Sequence, residues 1–340
     1  MSATDSGGRG EGAAEWRPSA SFDAIAERAR MYASIRAFFD GRGVLEVETP
    51  IASRAATTDP ALESLATVRT GPGAGPTGER LYLHTSPELP MKRLLAAGSG
   101  PIYQICKVFR DGERGRLHHP EFSLLEWYRP GWDYQRLIDE VAELVQMVLG
   151  RRMEVERVRY RALFRERLGV DPWATGVDAL RALALAEQIP GAGTLELDLD
   201  GWLDLLLTHR LEPTLSPGRM TFLMDYPPSQ AALARIRPAG RGDEVAVAER
   251  FELYLSGIEL ANGFQELTDA SAQAARFDAD LRCRRGQGRA TPPADRAFLT
   301  ALQAGMPACA GVALGLDRLL MARLGATHID AVIAFPVERA

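Results

Sequence analysis

The sequence predicts an α+β fold in which helices flank an antiparallel sheet, and three observations predict it. Residues 102–129, IYQICKVFRDGERGRLHHPEFSLLEWYR, read as a strand, a charged loop and a returning strand, with too few residues between the arms for a parallel crossover. A second pair of strand patterns flanks Ser256-Gly257, a dipeptide of hairpin-turn type. Between these pairs, Leu137, Ile138, Val141, Leu144, Val145 and Val148 recur at helical spacing from a capping Asp133 to Gly150.

The stretch 102–129 organises the rest. Its return arm alternates, so Phe122, Leu124, Glu126 and Tyr128 share one face while Ser123, Leu125 and Trp127 share the other. A carboxylate and a phenol in line with core residues are costly unless that face lines a polar cavity. With Arg110, Glu113, Arg114 and Arg116 on the loop, the residues alone point to a pocket for an anion and an amine on a sheet.

Composition narrows the class. The chain has 340 residues, 46% hydrophobic and 25% charged, as an ordinary globular protein does. A formal charge of -5 and a pI near 5.7 argue against a protein devoted to gripping nucleic-acid backbone. Cys106, Cys283 and Cys309 have no metal-ligand spacing, which suits a reducing cytoplasm, and Cys106 reads as a small buried hydrophobe. No run approaches the ~20 apolar residues that span a bilayer. Residues 1–20 read as a disordered leader, 21–340 as a single catalytic domain, and 151–218 as a helical insertion broken at Pro172, Pro190 and Pro213.

The remaining elements follow in order. Ser21 caps a helix through Ile25, Ala29, Tyr32, Ile35 and Phe39, with Gly41 as its left-handed stop, and it feeds a strand over 44–48 before Pro50. Residues 52–80 read as loop and 81–84 as a strand. Ser86-Pro87-Glu88 then opens a helix, with Glu88 facing its positive end. Strands return at 220–224 and 245–255. A two-residue turn at Ser256-Gly257 sets Tyr254 opposite Glu259 and Glu252 diagonal to it on the same face. That pair reads either as a solvated acidic face or as a Mg²⁺ site, since Mg²⁺ combines one or two carboxylates with phosphates. Helices follow from Asp269 and around Phe298 to Leu302. A glycine-bounded strand, 311–315, leads into a helix whose first turn holds Arg318, a cation placed against the dipole and better explained by a neighbouring anion.

Taken together, the helix and strand ending at Pro50, the Arg-loop-Glu hairpin, and GVALGLDR resemble motifs 1, 2 and 3 of the class II aminoacyl-tRNA synthetases. SPELPMKRLL, FRDGERGRLHHPEFSLLEWYR and ELANGFQELTD are most similar to the lysyl branch. EWYRPGWDYQRL, FELYLSGIELANGFQELTDA and the ending AFPVERA resemble the elongation factor P (R)-β-lysine ligases, its truncated paralogues. The leading helix begins near residue 21, with no room before it for an anticodon-binding β-barrel, so no tRNA anticodon binding is expected.

The resemblance implies a sheet of about six or seven antiparallel strands, ATP and Mg²⁺ as cofactors, and a homodimer formed around the motif 1 proline. It implies that (R)-β-lysine is adenylated and passed to a lysine of elongation factor P, in the cytoplasm and without a membrane. Arg110 and Arg318 become the catalytic charges, on the α-phosphate with the substrate carboxylate and on the γ-phosphate. Asp111, Gly112, Glu113, His119, Glu259, Leu260 and Gly315 complete the nucleotide site, and Glu252 with Glu259 holds Mg²⁺. Ser86, Pro87, Glu88, Glu126, Tyr128, Asn262, Glu266 and Ala313 form the amino-acid pocket. Glu88 takes one amine, and Tyr128 with Glu266 the distal ammonium.

Three departures stand out. The motif 2 acid moves from Gly112 to Glu113, His119 replaces the usual asparagine, and Ala313 replaces the usual glycine. The added methyl at 313 favours a β-amine over an α-amine, by about 1–3 kcal/mol at most. Two alternatives follow: a ligase for α-lysine or another diamino acid with a different acceptor, and a synthetase-like regulatory protein without catalysis. Arg110, Glu252, Glu259 and Arg318 are all present, which favours the enzyme.

Overall fold

A computed structural model describes residues 16–242 and 244–340. The leader expected at 1–20 therefore lies, over its first fifteen residues, outside the described residues. Within its remainder, Ala20 is buried and the Ser19 N–H donates to the Ala334 carbonyl at 2.7 Å.

Helix α1 (Phe22–Asp40) starts at Ser21, whose hydroxyl accepts the Ala24 N–H at 3.1 Å. The left-handed residue expected at Gly41 is instead Gly43, at φ 64°. Gly41 remains right-handed because its N–H still bonds the Ala37 carbonyl. Strand β1 (Leu45–Glu46) is shorter than the sequence suggested. Residues expected to be loop contain β2 (Ala52–Ser53) and β3 (Ala66–Arg69), which pair with β4 (Glu79–Leu83) in a small sheet of order β2-β4-β3.

Helix α2 (Glu88–Ala96) precedes the hairpin of β5 (Ile102–Phe109) and β6 (Glu121–Pro130). Asp133 caps α3 (Tyr134–Leu149), and Gly150 ends it at φ 66°. The insertion is not wholly helical: β7 (Glu154–Arg159) comes before α4 (Tyr160–Leu168), α5 (Val177–Ala186) and α6 (Leu199–Leu206). The chain continues through β8 (Arg219–Tyr226), β9 (Ile236–Arg237), β10 (Val247–Leu255) and β11 (Ile258–Gln265). It closes with α7 (Ala270–Gly286), α8 (Arg296–Gly305), β12 (Cys309–Gly315) and α9 (Leu316–Leu324).

Among the described residues the main sheet has nine strands, in the order β1-β5-β6-β12-β11-β10-β8-β7 with β9 attached to β10. The α+β class is as expected, but the sheet is larger and mixed. Its centre is antiparallel, while β1 with β5 and β7 with β8 are parallel. Both parallel pairs lie at the edges, where long connections, one through the small sheet and α2 and the other through the insertion helices, supply the crossover that parallel strands need.

One face of the sheet packs on α1, α3 and α9. Phe39 stacks on Tyr103 at 4.4 Å between ring centroids and meets Trp127 edge-on at 5.5 Å. Trp127 donates to the buried Glu140, which also binds Arg129, so the polar tip of the ring is satisfied inside the core. Buried Asp317 ties the layers together by accepting the Ser123 N–H of β6 at 2.6 Å and pairing with Arg28 of α1 at 2.5 Å. The insertion has its own core around Tyr160, Phe164, Leu180, Trp202 and Leu206. Phe39→Ala, which empties the first core, is expected to cost about 3–5 kcal/mol in urea unfolding, with the ordinary slope retained.

Candidate active site

The face of the sheet opposite α1, α3 and α9 opens on a cavity of about 1580 Å³. Register explains how distant residues meet there. Glu126 of β6 lies opposite Ala313 of β12, Ala313 opposite Asn262 of β11, and Asn262 opposite Glu252 of β10. In the next row Tyr128 faces Gly311 and Gly311 faces Phe264. Each of these side chains points into the cavity because alternate strand residues share a face.

One irregularity in β11 is essential to this row. Glu259 and Asn262 are three residues apart, so strict alternation would put them on opposite faces. The ladder shifts between Leu253 and Tyr254, pairing Leu253 with Ala261 but Tyr254 with Glu259. Leu260 is the extra residue of a β-bulge, and it returns both polar side chains to the cavity. The turn beyond is as expected for a tight hairpin: Ser256 and Gly257 have φ of 52° and 74°, the two positive values of a type I′ turn.

At one end of the cavity four ionisable groups cluster, with Glu126, Glu266 and Lys92 buried and Glu88 partly so. The Glu126 carboxylate accepts from Ser86 Oγ at 2.6 Å and from the Tyr128 hydroxyl at 2.5 Å. Burial pushes its pKa up to about 7, with the Glu88 charge adding to the rise and the two hydroxyls opposing it. Glu266 is raised to about 8 by burial, against the attraction of Lys92. Lys92, which sequence reasoning missed, is one helical turn beyond Glu88 on α2. Its Nζ lies 2.5 Å from both Glu88 Oε1 and Glu266 Oε2. Burial alone would lower its pKa, but Glu266 and Glu88 outweigh that and hold the ammonium charged well above the lysine range. Ser86 does not cap α2 in the expected way. Pro87 is the cap residue, and Ser86 Oγ accepts the Glu88 N–H at 3.0 Å while donating to Glu126.

Gly311 was also missed as a pocket residue. A Cβ there would collide with the Tyr128 ring and the Glu266 carboxylate, so only glycine lets both fold over β12. Asn262 Oδ1 is buried without a partner beside this group.

The other end carries positive charge. The Arg110 guanidinium lies 5.0 Å over the Phe122 ring, donates to the Thr85 carbonyl at 3.4 Å and is 3.6 Å from Glu113. Arg318, in the first turn of α9, donates to the Glu259 carbonyl at 2.8 Å, the Leu117 carbonyl at 3.2 Å and His118 Nε2 at 2.8 Å. It approaches Glu259 Oε2 at 3.4 Å. Burial raises the pKa of Glu259, and the Glu252 charge adds to the rise. Glu252 accepts from Arg250 on one oxygen and from Tyr226 and Tyr254, both at 2.6 Å, on the other. An ionised carboxylate offers about four lone-pair positions, so one remains beside Glu259.

Asp111, Gly112, Glu113, His119, Leu260 and Gly315, expected at the nucleotide site, are not among the residues that line the cavity. Gly112 has φ 78°, a left-handed position that favours glycine, so the loop geometry accounts for the absent acid there. Asp111 is exposed, with its N–H on the Glu63 carbonyl. Both ring nitrogens of His119 are engaged by backbone: Nδ1 with Glu121 at 2.6 Å, and Nε2 accepting from Val337 N–H at 2.9 Å. Leu260 is buried and Gly315 starts α9 without steric demand at its Cα. Arg114 does not reach into the cavity; it pairs with Asp330 and Glu338 at 2.8 and 2.7 Å and pins the loop to the C-terminal segment. The insertion supplies a further wall, with Asp200, Asp204 and Glu212 at the cavity. Burial pushes Asp204 to about 6 and Glu212 to about 7. Cys106 is raised to about 12 by burial, which keeps it an inert thiol.

A basic end, an acidic end and the strand order between them match the three synthetase motifs, and comparison with known proteins agrees. The family model of class II tRNA synthetases (D, K and N) matches residues 13–339. The elongation factor P–(R)-β-lysine ligase of Klebsiella pneumoniae (strain 342) is 48% identical over 327 residues, which is 96% of this chain and 99% of that protein. The ligases of the same name from Proteus mirabilis (strain HI4320) and Salmonella arizonae show the same identity and coverage. This chain belongs to that ligase family, within the class II synthetases. Among the described residues no helix is long and apolar enough to cross a membrane, and no group of three or more His, Cys, Asp or Glu is arranged to hold a metal by protein ligands alone.

The acidic end of this ligase-family site has a predictable pH response. Glu126 and Glu266 carry pKa values raised above the ordinary carboxylate, so as pH falls through about 8 and then about 7 they take up protons. A dicationic amine that binds the ionised forms would lose affinity in that window. Calorimetric Kd values for a diamino acid are expected to weaken by about 10² to 10³-fold between pH 8.5 and pH 6, with proton release on binding within that window.

Proposed function

We propose that this chain condenses (R)-β-lysine with ATP to an aminoacyl-adenylate and transfers the acyl group to a lysine side chain of elongation factor P. One observation carries the reading: the cavity has a carboxylate-rich end for ammonium groups and an arginine end for phosphates, joined by a row of residues running across the sheet. The relatives that share this chain along its length are named for that acceptor and that amino acid.

In the first half-reaction the substrate carboxylate attacks the α-phosphorus and pyrophosphate leaves. The nucleophile is already ionised, so the protein's task is positioning and charge stabilisation. Arg110, which lies over Phe122 and donates to the Thr85 carbonyl, would bridge the attacking carboxylate and the α-phosphate. Arg318 is fixed by three backbone and side-chain acceptors and would take the γ-phosphate. Asn262, with its unpartnered oxygen, sits between the two ends. Glu88, Glu126 with Tyr128, and Glu266 receive the ammonium groups. The Cβ of Ala313, opposite both Glu126 and Asn262, narrows the floor where an α-amine would lie.

Mg²⁺ fits the residues present. Glu259 and the remaining lone pair of Glu252 face a site where burial, and after it the Glu252 charge, raises the pKa of Glu259, and a cation would relieve that repulsion. When bound, Mg²⁺ supplies neutralisation of phosphate charge. Asp111, Gly112, Glu113, His119, Leu260 and Gly315, which do not line the cavity itself, would flank the adenine side. Residues 21–340 act as one catalytic domain with the 151–218 insertion as a cavity wall. The acceptor, a translation factor, places the reaction in the cytoplasm.

Amino-acid-dependent ATP/pyrophosphate exchange tests this reading. Exchange is expected with (R)-β-lysine, more weakly with α-lysine, and not without an amino acid; no exchange with any amine would refute it. Arg110→Ala is expected to lower exchange by about 10³-fold or more in a protein that still folds.

A homodimer is proposed around β1 and the segment to Pro50, where Leu45 and Ile51 are exposed apolar residues. Light scattering at micromolar concentration should give twice the chain mass, and a monomer would contradict it.

A further inference from the structure

Among the described residues Lys92 is a buried cation at the amine end of the cavity that the reaction as proposed does not use. We infer that Lys92 is a positioning and specificity-determining residue, a resident ammonium that sets the charge of the amine pocket to suit an amino acid with two ammonium groups. The inference rests on the amine-pocket reading given under Proposed function and deepens it.

Composition gives the first observation. The chain has 40 lysines and arginines, yet only Lys92 and Lys107 are lysine. Arginine serves nearly everywhere else, so the lysine at 92 answers a local demand. Lys107 is half exposed, whereas the Lys92 side chain has no exposed surface. A guanidinium presents a planar fork of five donors, whereas an ammonium is a compact point charge with three. The Lys92 ammonium lies between Glu88 Oε1 and Glu266 Oε2, each 2.5 Å from Nζ. The contact to Glu266, like that to Glu88, is an ion pair.

Charge balance gives the second. Once Glu126 and Glu266 have both ionised, above about pH 8, they and Glu88 contribute three negative charges and Lys92 one positive, which leaves the pocket at two negative charges. A diamino acid brings two ammonium groups, and its carboxylate goes to the arginine end. Removing Lys92 would leave a third uncompensated acid in a buried site, which is strongly unfavourable and is relieved only by a proton or an extra cation. Leucine or methionine at 92 would fill the volume on α2 but leave that acid unmatched. Lys92 also uses one oxygen of each partner, which leaves the other oxygen of Glu88 and of Glu266 for the cavity that both residues line.

Three measurements on the full chain test this. In exchange assays Lys92→Met should raise KM for (R)-β-lysine by about tenfold or more while leaving KM for ATP unchanged, and the acid limb of kcat/KM should move to higher pH. Lys92→Ala should regain part of its activity with millimolar ethylammonium, and sodium at equal strength should not substitute. A Lys92→Met protein that keeps the wild-type KM and pH profile would overturn the inference. Should these variants fail to fold, the wild type labelled with ¹³C,¹⁵N-lysine offers two resolvable side chains. The Lys92 signal should resist titration where Lys107 titrates, and it alone should shift on adding (R)-β-lysine without ATP. A Lys92 signal that titrates with Lys107, or ignores the amino acid, would overturn the inference. A responsive Lys92 in a protein without exchange activity would instead refute the adenylation reading and leave this one standing.

Discussion

A carboxylate buried at the centre of a β-sheet has to be matched by hydrogen bonds or by charge, and this structure is arranged around that requirement. Glu126 satisfies it with two hydroxyls, from Ser86 and Tyr128. Glu266 satisfies it with the Lys92 ammonium, and Gly311 clears the space in which Tyr128 and Glu266 meet. Helix α2 is positioned so that its first residue and the next turn, Glu88 and Lys92, both point at the sheet. The matching is incomplete, because Glu126 and Glu266 still carry raised pKa values. A site of this kind is stabilised by binding cations, so the cost of burying its acids appears as selectivity for an amine.

The opposite end works by geometry. Arg110 and Arg318 come from neighbouring segments, the loop after β5 and the first turn of α9 after β12, and each donates to backbone carbonyl oxygen. Preorganisation of this sort lets fixed charges stabilise a reacting phosphate without reorganising. The bulge at Leu260 places Glu259 near these arginines while Asn262 stays in the central row, so one irregular residue links the two ends. The insertion closes the cavity from the side with acids whose own pKa values are raised by burial.

Much of this arrangement was legible in the chain. The period-two pattern of 121–130 put Glu126 and Tyr128 on one face and Trp127 on the other, because strand side chains alternate whatever the fold. The caps at Ser21, Asp133 and Asp269 and the turn at Ser256-Gly257 were readable because they depend on neighbours within four residues. The small sheet of β2, β3 and β4 was not, since its strands are two to five residues long and carry loop-like composition. The parallel edges were equally hidden, because strand direction depends on where a crossover packs and not on the strand's own residues.

The sequence by itself therefore determined the local elements, the family and the identities of most charges at the two ends, through periodicity, capping and ordered motifs that each span a short segment. Only the tertiary structure decided how those charges are shared. That Lys92 lies between Glu88 and Glu266, that Gly311 is required by Tyr128 and Glu266, and that Gly112 is demanded by a positive φ all depend on distances between remote segments or on backbone conformation. A lysine one turn into a helix carries no mark of burial in its own sequence. Its role follows from the two acids that folding brings within 2.5 Å of it.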